Sequence, residues 1–411
     1  MKRLAIIGGG MAGCIAGIVA ANNNLKIDIY ERQDEILKKI LLTGNGRCNI
    51  SNQSIDISDY YTDCIDKLSF FLNQFDSNKE IAFWNSLGII LKEKNGCLYP
   101  YTGQALTVRN IIINHLKNRK INIKCNSLIN YIEKKNDGYI VDGCFYDYCI
   151  ISCGGMAGVY KEQENNGYSI LRKFKIPYDY CYPGLVQVKC KSDIYKKLKG
   201  IRCDAKISLK HESQNIMDTT EWILSENGEL QITETGLSGI AVFQLSRYIG
   251  VLLKNKIRCR LIVDLLYNLE KTYIIDNFQK YKEAYPFSKI FDYLQTFVNT
   301  KILECIFENT LDLNTPVQNI STAAFEKILD SLSNWTHDIK ELNPFKNAQV
   351  SCGGLSINNV DNHFMLKDYD NLFVLGEMLN VTGKCGGYNL HFATLSGYSA
   401  GKYIKELVIN A

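Results

Sequence analysis

Apolar residues fall in short, bounded runs at the start of the chain. Residues 3–7, RLAII, suit a strand buried on both faces, and the GGGMAG that follows opens CIAGIVAAN, whose small residues suit a tightly packed helix. KIDIYER predicts a second strand, so strand, glycine turn, helix and strand fit within about thirty residues. The period then lengthens. YYTDCIDKLSFFLNQF and KEIAFWNSLGI, between residues 58 and 95, and QALTVRNIIINHLKNR near 104–119 predict helices, before a strand-rich stretch that ends at CGG, 153–155.

Between 186 and 263 the texture changes to alternating segments, VQVKC, AKISLK, ELQIT and RLIVDL, with ENGE at 226–229 read as a hairpin turn. Residues 265–340 carry long amphipathic patterns such as YIIDNFQKYKEAY and FEKILDSL. After 346, glycine-rich turns between apolar strands return. The expected organisation is α/β and discontinuous: 1–185 with 346–411 as a nucleotide-binding domain, 186–264 as an inserted β-rich domain, and 265–345 as a small helical domain. No internal repeat of solenoid spacing occurs.

Composition narrows the function classes. At 411 residues the chain has room for two or three domains and a large buried ligand. Its net charge of +4 comes from scattered lysines rather than a basic stripe, which argues against nucleic acid or a membrane surface as partner. Fifteen cysteines are odd in number, form no CxxC and are irregularly spaced, so reduced thiols in a cytoplasm are expected over a disulfide framework. The N-terminal apolar run breaks at three glycines, unlike a secretory signal, and no run reaches the roughly 18–20 apolar residues of a spanning helix. His115, His211, His337, His363 and His391 lie far apart without metal-ligand spacing, so no metal is expected.

The chemistry concentrates in glycine turns. Gly8, Gly10 and Gly13 form GxGxxG, with Ala12 inside it, where the first glycine permits the turn, the second lets backbone approach a pyrophosphate and the third lets helix pack on strand. Glu31, eighteen residues after Gly13, closes the second strand in position to accept from a ribose diol, with Arg32 beside it for adenine or solvent. A dinucleotide is therefore expected, either NAD or FAD.

A second polar run separates those two. Lys39 followed by Thr43-Gly44-Asn45-Gly46-Arg47-Cys48-Asn49-Ile50-Ser51-Asn52 resembles the HI0933-like flavoproteins, the FAD-dependent group that includes BaiN-type and aminoacetone-oxidase-type members. Gly376-Glu377 and Gly386-Gly387-Tyr388-Asn389-Leu390 match the C-terminal GE and GGYNL elements of that family, with His391 where glutamine is common. CGGMAG with Gly154, SCGGLSINNVD at 351–361 and ITETGLSGIAVFQLSR at 232–247 extend the resemblance across almost the whole chain. In the last of these, Glu234 and Ile240 replace the family's frequent histidine and proline, so no role of that histidine carries over.

The resemblance implies a glutathione-reductase-type Rossmann domain for FAD and a flavin-dependent oxidoreductase. Family members act on conjugated double bonds of bile-acid intermediates or on aminoacetone. No second GxGxxG of Rossmann quality lies between 150 and 250, so NAD(P)H is expected as a transient co-substrate. Glycine amides and the Arg47 fork would face the phosphates or flavin edge, and the GGYN turn would aim a helix N-terminus at the ring. Tyr388 and His391 are the candidate proton donors for a reductase, and Cys48 is a packed thiol rather than a sulfur relay. Trp84, Tyr99 and Tyr101 are candidates for an apolar substrate mouth. A hydrophobic enone leads as small-molecule substrate; a small amine and an RNA base are the alternatives. Oligomeric state is not legible.

Overall fold

The computed structural model describes residues 1–158, 166–212 and 224–410. They form two compact units, Met1–Tyr182 with Val350–Ala411, and Pro183–Gln349.

The first unit is built on a parallel sheet. Its strands are β1 (Lys2–Ile7), β2 (Leu25–Tyr30), β3 (Asn122–Lys124), β4 (Tyr148–Ile151) and β5 (Leu372–Val374), in the order β5-β4-β1-β2-β3. The register pairs Ile7 with both Tyr30 and Ile151, Tyr30 with Lys124 and Ile151 with Val374. All five carboxyl ends are therefore level. A strand from beyond residue 370 thus sits in the sheet that β1 began, giving the discontinuous Rossmann architecture expected from the glycine-rich C-terminal segment. Helix α1 (Met11–Ala20) is buried at every residue but Val19. It is covered by the long helix α3 (Tyr388–Asn410); helix α2 (Ser77–Ser86) lies between them in sequence. A Cβ on Gly397 would stand 2.4 Å from Ala12 O, and one on Gly401 2.6 Å from Ala16 O. Small residues on both helices set this close crossing, and burial supplies the driving force.

At the opposite corner of the sheet, the buried Asp28 carboxylate accepts from Tyr146 Oη at 2.5 Å, Asn122 Nδ2 at 2.8 Å and Arg3 Nη2 at 3.2 Å. The Tyr30 hydroxyl lies 2.8 Å from that of Tyr146 and accepts from Lys124 Nζ at 2.9 Å. Burial alone would raise the Asp28 pKa, but the Tyr146 and Asn122 hydrogen bonds, the Lys124 charge and Arg3 outweigh it and hold the carboxyl below its usual range.

The second unit contains a closed six-stranded barrel in the order Val188–Cys190, Gly236–Ser238, Leu224–Thr233, Arg202–His211, Cys259–Asp264, Trp335–Leu342. The expected helices, among them Lys271–Ala284 and Thr322–Ser333, lie in sequence between two adjacent barrel strands. Their apolar faces join the barrel interior in one hydrophobic cluster, with Phe278 stacked on Phe325 at 3.8 Å. The segments read as separate β-rich and helical domains thus share a core. One local expectation fails. ENGE is no hairpin turn: Glu226 to Glu229 lie within Leu224–Thr233, and Asn227 pairs with Lys206. Eight cross-strand pairs in register override the turn preference of an Asn-Gly dipeptide. The connection between those two strands lies outside the described residues.

Inside the barrel, His337 sits between the buried Trp335 and Ile339 on alternating positions. Its Nδ1 is 2.7 Å from the Tyr195 hydroxyl, and burial drives its pKa down to about 3.

Candidate functional site

The glycine turn after β1 is shaped by three different demands. Gly8 has φ +108°, and a Cβ there would meet Ser152 O at 2.4 Å; one on Gly13 would meet Gly8 O at 2.3 Å. Gly10 is the contrast. No protein atom lies within 4 Å of a Cβ placed there, so the space in front of it is open. The first hydrogen bond of α1 runs from Cys14 N to Gly10 O, leaving the Met11, Ala12 and Gly13 amides without helical partners at the carboxyl edge of the sheet. Glu31 follows β2 at the same edge. Its Oε2 accepts from Gly9 N at 2.9 Å and its Oε1 from Gln33 N at 2.8 Å, so the carboxylate is fixed while each oxygen keeps a lone pair. Arg32 beside it is half-buried and joins no ion pair among the described residues.

The TGNGRC run is a compact coil of left-handed backbone. Gly44, Asn45, Gly46 and Cys48 all have φ between +54° and +82°. Cys48 N donates to Thr43 O and Arg47 N to Gly44 O, closing the loop on itself. Gly44 through Arg47 are exposed, and the Arg47 guanidinium makes no ion pair among the described residues. Beneath them Cys48 is fully buried, which pushes its thiol up to about 12. A thiol held protonated there packs and does not relay electrons. Asn49 Oδ1 is buried and lacks a hydrogen-bond partner.

Motifs from the two ends of the chain meet in this unit. Lys39 Nζ lies 2.8 Å from Glu377 Oε2, the same oxygen that accepts from Gly155 N at 3.2 Å, while Glu377 Oε1 accepts from Ser351 N at 2.8 Å. Glu377 therefore ties four segments together. A Cβ on Gly154, at φ +75°, would meet only Glu377 Oε2, at 3.9 Å, and one on Gly376 would stand 3.1 Å from Ala12 Cβ. Asn52 Nδ2 donates to Gly386 O at 3.1 Å, and Gly387 lies so close to Ser51 that a Cβ would stand 2.4 Å from its carbonyl oxygen.

The Asn389 side chain holds the C-terminal turn closed, accepting from Gly383 N and donating to Gly383 O, both at 2.9 Å. Helix α3 begins its hydrogen bonding at His391 N to Gly387 O, so the amides of Tyr388, Asn389 and Leu390 are free at its N-terminus among the described residues. Two helix N-termini thus offer donors, and the open face of Gly10 and the unpartnered Asn49 Oδ1 mark space for a ligand. That set suits a flavin dinucleotide, with phosphates at α1 and a ring edge at α3.

The two candidate proton donors have different surroundings. Tyr388 is half-buried, edge-on to Tyr60 at 5.8 Å, and burial followed by the Asp59 charge pushes its phenol up to about 12. It keeps its proton at neutral pH. His391 is fully buried, its Nδ1 2.5 Å from Glu80 Oε2. Sequence reasoning missed Glu80. It lies in an ordinary amphipathic helix 311 residues from its partner, and nothing local marks it. Trp84, expected at a substrate mouth, is buried and donates to Glu80 instead; Tyr101 is exposed.

A family model described as the HI0933-like protein Rossmann domain matches residues 2–403. The chain belongs to the HI0933-like family. It is an FAD-dependent oxidoreductase. A curated relative, the 3-dehydro-bile acid delta(4,6)-reductase of Clostridium scindens, is 32% identical over 99% of this chain and 100% of its own length. The ribosomal RNA dihydrouridine synthase of Escherichia coli is 22% identical over 96% of both chains. Among solved structures, 3-ketosteroid delta1-dehydrogenase from Sterolibacterium denitrificans aligns over 99% of this chain and 100% of its own, at 10% identity and a TM-score of 0.48, too distant to bear on function. In this HI0933-like chain no described helix is long and apolar enough to cross a membrane, and no described group of His, Cys, Asp and Glu could hold a metal ion.

Proposed function

We propose that this enzyme reduces a carbon–carbon double bond conjugated to a carbonyl in a hydrophobic, steroid-like enone such as a bile-acid intermediate, with NAD(P)H as transient electron donor. The observation that carries the reading is the end-to-end match to a bile-acid reductase at 32% identity. A second relative supports the reaction type, because making dihydrouridine also saturates a double bond conjugated to a carbonyl.

In this reading the α1 amides and the open Gly10 face hold the pyrophosphate, and Glu31 accepts from ribose hydroxyls, with Arg32 flanking the adenine. Lys39, Thr43, Gly44, Gly46, Arg47, Cys48 and Asn49 form one wall; Gly154, Gly376 and Glu377 form the floor. The free amides of Tyr388 to Leu390, with Gly386 and Gly387 in the turn before them, meet the ring edge. FAD, when bound, supplies the hydride for the carbon β to the carbonyl. Tyr388 holds a proton at its hydroxyl for the α carbon, which its high pKa keeps in place until it is needed. Free thiols and a nicotinamide donor fit a cytoplasmic enzyme.

The relative that acts on ribosomal RNA favours a second reading, in which the conjugated double bond belongs to a uracil. One anaerobic experiment separates them. NAD(P)H should bleach the FAD-loaded protein, and a 3-oxo-Δ4,6 steroid should restore the yellow colour while unmodified ribosomal RNA does not. Recovery with RNA alone, or bleaching by aminoacetone but not by NAD(P)H, would overturn the enone assignment.

A further inference from the structure

The first turn of α3 carries a charged pair sealed from water. His391 Nδ1 and Glu80 Oε2 are 2.5 Å apart, and both side chains are wholly inaccessible. Trp84 Nε1 donates to Glu80 Oε1 at 3.2 Å, Ser51 Oγ lies 3.4 Å from His391 Nδ1, and the Phe75 ring packs 5.9 Å from the imidazole. Tyr60 completes the enclosure. Burial, and then the charge on Glu80, hold its phenol well above the ordinary value. Neither member of the pair meets a lysine or arginine among the described residues, and His391 Nε2 is buried without a hydrogen-bond partner. A carboxylate in such a place persists only when matched by a proton or a positive partner, and so short a contact holds a proton between the two groups.

We propose that this proton rests on the imidazole, so that His391 is a buried imidazolium one helical turn behind the free amides of α3, and that with Glu80 it sets the charge this helix end presents to a bound flavin. His391 is then a positioning residue rather than a proton donor. The inference rests on the reading that the ring edge of FAD meets α3. Its consequence is a pair of opposite effects. Glu80→Gln removes the negative member of the pair, which favours the negative charge that gathers on the ring upon reduction. His391→Gln removes the positive member, which opposes that charge. A purely structural pair would shift both variants the same way or neither.

The test compares binding of reduced and oxidised FAD in the reconstituted protein by equilibrium dye titration. Glu80→Gln should favour the reduced form about tenfold more than the native protein and His391→Gln about tenfold less, roughly 30 mV in each direction for a two-electron couple. The double variant should fall within about threefold of native, since its pair is neutral again. Shifts of the same sign, or none, overturn the proposal. If native protein takes up no FAD, the flavin reading fails, and the pair is then judged by nitrogen-15 NMR of histidine-labelled native protein, which needs neither cofactor nor variant. Five histidines are few enough to assign. Two protonated ring nitrogens on His391 support the proposal, and a singly protonated ring overturns it; the same measurement decides if the variants do not fold.

Discussion

Asn52 and Gly386, 334 residues apart, are joined by a 3.1 Å hydrogen bond from the asparagine amide to the glycine carbonyl. The same side chain accepts from Ser54 N at 3.1 Å, so it ties its own loop as well as the distant turn. Asn52→Ala should lower stability by about 1–2 kcal/mol in urea unfolding, since two partners lose a bond. It should also weaken FAD binding, measured by fluorescence titration, because the α3 N-terminus is no longer held to the residues after the TGNGRC loop.

Two glycines of one turn should respond differently. A Cβ on Gly13 lands on Gly8 O and Ser152 Oγ, at 2.3 and 2.5 Å, so Gly13→Ala should destabilise the protein by about 3 kcal/mol. Gly10→Ala adds a methyl where no protein atom lies. Its thermal unfolding without cofactor should match the native protein within about 0.5 kcal/mol, whereas its FAD affinity should fall at least about a hundredfold. Equal FAD affinity in Gly10→Ala would remove the pyrophosphate from this turn.

Tyr388→Phe should preserve the fold and the bleaching of FAD by NAD(P)H while slowing enone reduction by about 10² to 10⁴. Stopped-flow measurement of the two half-reactions separates these effects. Equal loss in both would show that the phenol acts on flavin placement instead.

The barrel should be acid-sensitive through His337. In the unfolded chain this histidine takes up a proton near pH 6.5, but in the folded barrel only near 3. The unfolded state therefore binds more protons throughout that window, and stability falls with decreasing pH by up to about 1.4 kcal/mol per unit between 6.5 and 3. Urea unfolding at a series of pH values checks the slope. His337→Gln, which cannot titrate, should flatten it.

Tyr146→Phe should cost about 1–3 kcal/mol, because it removes a donor from the buried Asp28 and the neighbour of the Tyr30 hydroxyl together. Since the folded-state pKa of Asp28 is lowered, the native network contributes stability above the ordinary carboxylate range and loses it as pH falls through the folded value. The variant should therefore differ from native protein most at neutral pH and least in strong acid, as followed by urea midpoints.

Much of the first unit was legible because its signals are local. GGGMAG, Glu31 and TGNGRC each encode a turn or a strand end within a few residues, and the backbone adopts them where they stand. The convergence of Lys39 with Glu377 was readable only through family resemblance, since no local pattern ties residues that far apart. Glu80 left no trace for the same reason: an acid on a polar-apolar helix looks like any solvated acid until the fold buries it. ENGE misled in the opposite way, with a strong local turn signal overruled by long antiparallel pairing. The joint core of barrel and helices was hidden because amphipathic periodicity shows that a face is buried without showing against what.

The seat of Gly397 on Ala12 leaves no room for a methyl group, so a side chain at residue 397 would push α3 away from α1 along their crossing. The crossing is thus a fixed spacer: it sets how far the first turn of one helix stands from the first turn of the other, with a hydrogen atom as the only tolerance.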